Sequence, residues 1–366
     1  MTGRTLSRYF GKRFLSAVMA VFLGVFVLVA IIDFVELMRR SAGETNASAW
    51  LIWKTSIFRV PQVTERIVPF AVLIGAMSCY LNLSRRLELV VARSAGMSAW
   101  QFVAPAIKVA LGLGVIATTI YNPLAATLDE RSKRLEVEIS GNTPQASGMS
   151  DTGSGFWARQ LSADGQAIIN AQTSSDQGTR LGGITIFIYD QSGDHFKRRI
   201  EAKTATLQPG FWQLEDVRIY ATDAPPQDRP SYQLSTNLSR DQVRESFSTP
   251  ETVPFWQLPV YIDIAERSGQ SAARYRMQFY KLLTQPFLLA AMVLLAAAVS
   301  LRFFRFGGVQ KMVLSGLGAG FLLYILSKVT EDMSKAELLS PAIAACAPVL
   351  AGGLVGFMVL LYQEDG

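Results

Sequence analysis

Few residues of this chain are arranged in a pattern that supports catalysis. No G-x-x-x-x-G-K-[ST] motif occurs, so the chain lacks the glycine-rich loop that holds nucleotide phosphates. The single histidine, His195, lies in a predicted turn, and the acids form no cluster with it or with Cys79 and Cys346. Both cysteines lie within apolar runs, which argues against a disulfide framework. We therefore expect no catalytic site, metal site or bound cofactor, and any energy for work must come from another subunit.

The clearest chemical pattern is a single acid in the basic and apolar stretch Ser84–Gln101, SRRLELVVARSAGMSAWQ. Glu88 is its only carboxylate. Ser84 is a predicted N-cap, apolar residues recur after it at helical spacing, and Gly96 is a predicted left-handed stop. Ser98 fits a capping box at the start of the next helix. Two interpretations remain open: an amphipathic helix on the lipid surface, or a rigid element that contacts a partner.

Composition places the chain in a membrane. Of its 366 residues 50% are hydrophobic and 17% are charged, and the mean hydropathy is +0.24. These values lie outside ordinary globular usage. The formal net charge is +6, but much of the basic charge flanks apolar runs. Membrane orientation and anionic lipid explain that charge better than nucleic acid does, so we expect no nucleic-acid partner.

Six apolar runs predict six transmembrane helices, since a hydrocarbon core of about 30 Å needs roughly 20 such residues. Basic residues are concentrated before run one, between runs two and three, and between runs four and five. The positive-inside rule therefore places these segments and both termini in the cytoplasm. Helices one to three occupy residues 1–128, with a cytoplasmic helix at 84–95, and helices four to six occupy 274–366. The runs are Phe14–Ile32, Ile67–Ser84, Val109–Leu128, Leu282–Leu301, Met312–Ser327 and Leu338–Gln363.

Residues 129–273, between the third and fourth runs, are the predicted soluble domain, and the topology makes it extracytoplasmic. Apolar residues alternate with polar ones in Gly183–Tyr189, Ile200–Ala205 and Phe211–Tyr220, which predicts strands separated by turns. Asp129–Ser140 has a helical pattern instead, so helix three should continue outward before the sheet begins. We expect an all-β domain of the sandwich or jelly-roll kind.

Together these features resemble the permease family of the bacterial lipopolysaccharide exporter, LptF/LptG, over essentially the full chain. Three spans precede the β-domain and three follow it. The Gly-Gly-Ile strand, with Ala205-x-Leu207 and Phe211-Trp-x-Leu214 after it, is more similar to the LptG branch. The other matching motifs are Arg8-Tyr9-Phe-Gly-Lys12, Glu88-Leu-Val-Val-Ala-Arg-Ser-Ala-Gly96 and Leu181-Gly-Gly-Ile-Thr-Ile-Phe187.

The resemblance implies one half of a multi-pass transporter in the bacterial inner membrane, with its β-domain in the periplasm. The expected partners are a paralogous LptF-type permease in a heterodimer, a cytoplasmic ATPase dimer that binds ATP and Mg, and a single-span LptC-type protein. The complex would extract lipopolysaccharide from the outer leaflet of the inner membrane and pass it to a periplasmic bridge.

The resemblance also implies that residues 84–95 are the coupling helix that receives motion from the ATPase. The apolar side chains would fill a groove of the ATPase, Glu88 would pair with a basic residue there, and Ala92 would keep the Glu88 face slim. The residues expected at this contact are Arg85, Leu87, Glu88, Val90, Val91 and Ala92.

Lipid A carries phosphates, which suit the forked donors of arginine. At the outer ends of the spans we expect the lipid to meet Asp33, Glu36, Arg39, Arg40, Arg59, Arg66, Lys328 and Lys335. Relatives of this family carry a lysine near the position of Asp33. Asp33 and Glu36 are acids instead, and their negative charge prevents them from binding phosphate directly. We expect them to pair with Arg39, Arg40 or Lys328, or to hold a divalent cation that bridges to the lipid. Simple anchoring of helix ends at lipid headgroups remains the alternative for each basic residue.

Three other functions remain open. One is a permease of another envelope-lipid or lipoprotein exporter; permeases of the lipoprotein-release or cell-division type usually carry their extracytoplasmic domain after the first span, whereas here it follows the third. A membrane-anchored periplasmic enzyme would need a convergent acid/base or nucleophile set, which the sequence lacks. A non-transporting receptor or scaffold would bind no ATPase, so co-purification of an ATPase separates it from a transporter.

Overall fold

The computed structural model describes residues 2–41, 48–94, 96–140, 156–162, 165–175, 179–190, 195–221, 224–236, 250–267, 271–306 and 309–365. The chain divides into a helical unit, which comprises Met1–Gly43, Ala47–Glu136 and Pro250–Gly366, and a second unit that includes Val137–Thr249. The stretch 250–267 falls in the helical unit, although the sequence assigns it to the β-domain. The reason is a buried cluster in which Phe255 and Leu258 pack with Leu282.

In the part of the chain that the structure describes, six helices are long and apolar enough to cross a membrane, as the sequence predicts. The helices are α1 (Thr2–Arg40), α2 (Ala49–Glu65), α3 (Val68–Arg85), α4 (Glu88–Ser94), α5 (Ala99–Ile116), α6 (Asn122–Ser140), α7 (Leu258–Arg267), α8 (Ala273–Phe306), α9 (Val309–Lys335) and α10 (Pro341–Asp365). Span one is α1, span two is α3, and span three runs through α5, a π-helical turn at Ala117–Tyr121 and α6. Spans four, five and six are α8, α9 and α10.

Two of these helices, α2 and α7, are additions to the predicted set. The sequence of α2 contains Lys54, Arg59 and Pro61 among its apolar residues, so its charge-free runs are too short to predict a span. The sequence of α7 begins LPVYID, in which apolar and polar residues partly alternate and mimic a strand. Both helices obtain their helical state from packing against the spans, which overrides a weak local pattern.

The π-helical turn in span three has a local chemical cause. The residue after Asn122 is Pro123, which has no backbone N–H and cannot donate to the carbonyl of Thr119 four residues earlier. One residue before this proline, the N–H of Asn122 donates to the carbonyl of Ala117, which is five residues back, as in a π-helix. The indole N–H of Trp256 donates to the freed Thr119 carbonyl at 3.1 Å. A π-turn of this kind often marks a functional site.

The spans differ strongly in how much of their surface the rest of the chain covers. In the most apolar 18-residue window, 56% of span four is buried, against 6% of span one and 22% of span five. Glycines allow some spans to pack very closely. A Cβ on Gly114 of span three would overlap Pro286 of span four, and a Cβ on Gly75 of span two would overlap the backbone of Val18 in span one. Span four is therefore the centre of the helical unit, and spans one and five offer wide apolar faces to other molecules or to lipid.

Beyond the end of α6, the described part of the second unit up to Ser235 consists mainly of strands, which agrees with the predicted β-domain. Its described strands form one antiparallel sheet in sequential order, and the side chains that line its core include Ile186, Ile200, Trp212 and Leu214. The chain turns at Gln208-Pro-Gly210, where Gly210 has a left-handed φ of +86°. The predicted helical extension at Asp129–Ser140 is also confirmed within α6. The strands are β1 (Phe156–Ser162), β2 (Gly165–Ser175), β3 (Arg180–Tyr189), β4 (Phe196–Gln208), β5 (Phe211–Ala221) and β6 (Ala224–Ser235).

Candidate functional site

The predicted coupling helix has a different start from the one expected. Ser84 is not an N-cap but a buried residue inside α3, which continues to Arg85. The chain then turns through Leu87, whose φ of +62° lies in the left-handed region, and α4 begins at Glu88. A left-handed conformation is costly for a residue with a Cβ, by roughly 1–2 kcal/mol. The strain lies at the junction between span two and α4.

The end of α4 is as the sequence predicts. Gly96 has a φ of +82°, and the N–H of Met97 donates to the carbonyl of Ala92 at 3.1 Å. This is the six-to-one hydrogen bond of a Schellman motif, which needs the left-handed residue before it. Ser98 lies at the N-cap position of α5, but its side chain makes no capping hydrogen bond, so the predicted capping box is absent.

The side chains of α4 divide between a buried face and an exposed face. Leu89 is buried in the helical core, and Ala92 is buried as well. Ala92 therefore lets α4 lie close to the spans and does not keep the Glu88 face slim, which corrects the predicted role. Leu87 and Val91 are 60% and 65% exposed, so these two apolar side chains are available to a partner. Arg85 is also exposed, and the Val90 side chain lies outside the described part of the structure.

Glu88 has partners within its own chain, which the sequence did not reveal. The hydroxyl of Tyr9 donates to Glu88 Oε2 at 3.0 Å, and Arg13 Nη2 lies 4.0 Å from Glu88 Oε1. Arg13 Nε donates to the Tyr9 hydroxyl at 3.1 Å, and its guanidinium lies 5.4 Å from the Tyr9 ring centroid. The contact places the N-terminal helix and α4 at one end of the helical unit, called the inner end below. The predicted topology requires the N-terminus and residues 84–95 to lie on the same side of the membrane, and this contact agrees with it.

At the opposite end of span one, called the outer end, Glu36 binds two arginines. Arg39 donates to both of its carboxylate oxygens, at 3.0 and 3.1 Å, and Arg40 Nε donates to Oε1 at 2.8 Å. The pairing expected for Glu36 is thus present. Asp33 pairs with Arg59 at 3.7 Å rather than with Arg39, Arg40 or Lys328. Arg59 comes from α2, which the sequence did not identify as a helix.

A second charged group at the outer end is centred on Glu331 of span five, which is buried. Lys281 and Lys335 donate to its two oxygens at 2.7 and 2.6 Å, and Lys328 lies 3.7 Å away. Lys335 also lies 3.7 Å from Glu251. Lys328 and Lys335 are therefore partly neutralised, and each keeps an exposed fraction of its side chain. Arg66 is exposed at the end of α2.

Comparison with known proteins decides the family. Residues 8–362 match the family described as lipopolysaccharide export system permease LptF/LptG. The chain belongs to this family. The match spans both halves of the helical unit and the β-domain between them, so it covers the inner-end and outer-end residues alike.

Curated relatives of this LptF/LptG chain carry the name LptG. It is 27% identical to the lipopolysaccharide export system permease protein LptG of Haemophilus influenzae, over 99% of both chains. It is 26% identical to the protein of the same name from Escherichia coli K12, over 98% of both chains. The similarity to the LptG branch that the strand motifs indicate is therefore confirmed.

Four residues of this family member at the two ends were missed by sequence reasoning: Tyr9, Arg13, Lys281 and Glu331. One signal was available for the last two, because an ionisable residue within a membrane span is costly and is usually paired or functional. Lys281 lies in span four and Glu331 in span five, inside the ranges able to cross a membrane. Tyr9 carried no such signal beyond its place in the early Arg8-Tyr9-Phe-Gly-Lys12 motif.

Proposed function

We propose that this chain is a permease subunit of an ATP-driven exporter that extracts lipopolysaccharide from the outer leaflet of the inner membrane toward a periplasmic bridge. The observation that carries the proposal is the family match over residues 8–362, with two LptG relatives covered nearly end to end. The six candidate spans around a β-domain agree with it, and the β-domain would lie in the periplasm.

An ATPase dimer at the inner end would supply the energy. The sequence has no P-loop, so ATP and Mg would be bound by those subunits and not by this chain. Exposed apolar side chains of α4 and its junction, Leu87 and Val91, support a protein contact at this point. Glu88 lies between them, and removal of one partner from a desolvated charge pair at an interface costs several kcal/mol.

A paralogous LptF-type permease would cover spans one and five. These spans are the least covered by the rest of the chain, and both display large apolar side chains, among them Leu23, Ile31, Leu314 and Phe321. Helix association in a membrane depends on packing between such faces. A cavity between the two permeases would then be lined by spans one and five, and a single-span LptC-type partner would lie beside them.

The lipid headgroup would bind at the outer end. Arg39 and Arg40 are held side by side by Glu36, and a guanidinium has five N–H donors, so each retains donors for phosphate. Arg59, held by Asp33, extends this group toward α2 and Arg66. Lys328 and Lys335 form the corresponding group on span five. Because Asp33 and Glu36 already have arginine partners, ion pairing within the chain explains them without a bridging cation.

Co-purification and reconstitution test the proposal. The chain, expressed with its paralogous permease, should retain an ATPase, and liposomes containing the complex should release lipopolysaccharide to an acceptor only with ATP. An ATPase-bound complex that releases another lipid or a lipoprotein would favour a different exporter. A complex that retains no ATPase would favour a receptor or scaffold.

Substitution of Glu88 tests the contact with the ATPase. Glu88→Lys should weaken ATPase association and abolish export, and a compensating charge reversal on the ATPase should restore part of both. Because Glu88→Lys also places a cation beside Arg13, Glu88→Gln is the matched variant, since its amide oxygen still accepts from Tyr9. Normal export and normal ATPase binding by Glu88→Lys would contradict the proposed contact.

A further inference from the structure

We infer that Tyr9 and Arg13 are positioning residues for Glu88, and that they pass the motion of α4 directly into span one. The inference rests on the proposed function, since it assumes that an ATPase contacts α4. The three side chains are called the inner clasp below. They join α1 to α4 across 79 positions of sequence.

The geometry of the inner clasp leaves Glu88 able to serve two partners. Tyr9 occupies one acceptor position, on Oε2, and Arg13 Nη2 stands 4.0 Å from Oε1, which is beyond hydrogen-bond distance. A carboxylate has about four acceptor positions, so one or more remain for an incoming cation. The Glu88 side chain is 28% exposed, which makes it accessible from outside the chain. One carboxylate can therefore bind span one and the ATPase together.

Arg13 fixes the direction in which the Tyr9 hydroxyl points. Arg13 Nε donates to the hydroxyl oxygen, so that oxygen accepts from Arg13 while its own hydrogen goes to Glu88. The guanidinium also lies near the face of the Tyr9 ring, where cation–π attraction favours it. The ring itself packs at 5.9 Å against Phe10, which is buried. Tyr9 is thus held from two sides with its hydroxyl aimed at α4.

Span one is suited to carry a displacement to the outer end. It is one helix from Thr2 to Arg40 without a proline, and the residues from Tyr9 to Glu36 extend over about 40 Å at 1.5 Å per residue. Its inner half packs through Phe10, Phe14 and Val18 in the helical core, and its outer half exposes large apolar side chains such as Leu28 and Val35. Motion at Glu88 would therefore pivot the helix near Val18 and move the Arg39 and Arg40 pair. Span three is less suited, because the π-helical turn interrupts it.

The test uses the reconstituted complex of both permeases and the ATPase, with lipopolysaccharide released per ATP hydrolysed as the readout. Tyr9→Phe removes only the hydroxyl and should lower this ratio by about tenfold or more, as expected for one hydrogen bond to a charged group. ATPase co-purification and the thermal midpoint should stay at the parent values. Tyr362→Phe is the matched control, because Tyr362 is 83% exposed near the inner end of span six.

A double substitution separates the clasp from a merely structural role. If Tyr9 acts through Glu88, Tyr9→Phe added to Glu88→Ala, which removes the acceptor, should change the ratio little further. If the Tyr9→Phe complex does not assemble, Arg13→Gln is the second variant. It should also lower the ratio by itself and change it little further when Glu88 is replaced. A parent-like ratio in an assembled variant, or single effects that multiply, would overturn the inference while leaving the exporter intact. A parent complex without ATPase or export would instead remove the proposed function and this inference with it.

Discussion

The hydroxyl of Thr118 in span three donates a hydrogen bond to the carbonyl of Leu282 in span four, 2.9 Å away. The acceptor is free because the residue four positions later is Pro286, which has no N–H to donate. The same rule explains the Thr119 carbonyl, which Pro123 leaves free and Trp256 binds. Two prolines thus create two acceptors, and neighbouring elements provide a donor for each.

We predict that Thr118→Val destabilises the helical unit. The change keeps the shape but leaves a buried carbonyl without its donor, at a cost of about 1–3 kcal/mol. Thermal unfolding in detergent measures it, with Thr119→Val as the control, since that hydroxyl donates to Val115 within its own helix. In a Pro286→Ala background the restored N–H should make Thr118→Val nearly neutral. An equal effect in both backgrounds would contradict the assignment.

We predict that Leu87→Asn separates stability from partner binding. Asparagine tolerates the left-handed conformation better than leucine, so the thermal midpoint should stay level or rise. The exposed apolar side chain is lost, however, and ATPase co-purification should fall. Val91→Asn, at a helical position without positive φ, should lower ATPase retention with no gain in stability. Full ATPase retention by both variants would show that these side chains do not contact the partner.

The buried carboxyl of Glu65 predicts that the stability of the helical unit depends on pH. Burial raises the pKa of this carboxyl from 4.5 to about 6, opposed by the hydrogen bond from Asn122 and by the charges of Lys281 and Arg66. The folded state then holds the proton more tightly than the unfolded state. This contribution to stability is fully present below about pH 4.5 and is lost as the pH rises to about 6.

The thermal midpoint of the parent should therefore fall across that interval more steeply than the midpoint of Glu65→Gln. Asp332→Asn serves as the control, because Asp332 is an exposed acid in the same unit. Parallel pH profiles for the parent and Glu65→Gln would mean that Glu65 titrates alike in both states.

The outer-end arginines predict a crosslinking pattern. A photoreactive residue at Met38, beside Arg39 and Arg40, should capture lipopolysaccharide more strongly than one at Met358, which is exposed on span six. Replacing Glu36, Arg39 and Arg40 together by Gln removes the charged donors without leaving an unpaired acid, and should reduce capture to the Met358 level. Equal capture at both positions in the parent would indicate nonspecific contact with bulk lipid.

The sequence by itself determined the six spans, the strands at Gly183–Tyr189, Ile200–Ala205 and Phe211–Tyr220, and the end of α4 at Gly96, because each depends on local patterns. Apolar length defines a span, alternation defines a strand, and left-handed φ selects glycine. Local rules failed at Ser84, where α3 continued through the predicted cap.

Only the tertiary structure decided which distant groups meet. Tyr9 and Glu88, Asp33 and Arg59, and Lys281 and Glu331 are far apart in sequence, and their pairing depends on which helix faces turn toward each other. The helical state of α2 and α7 was decided in the same way. Packing against the spans stabilises these two helices. The sequences of α2 (17 residues) and α7 (10 residues) cannot reveal that packing on their own.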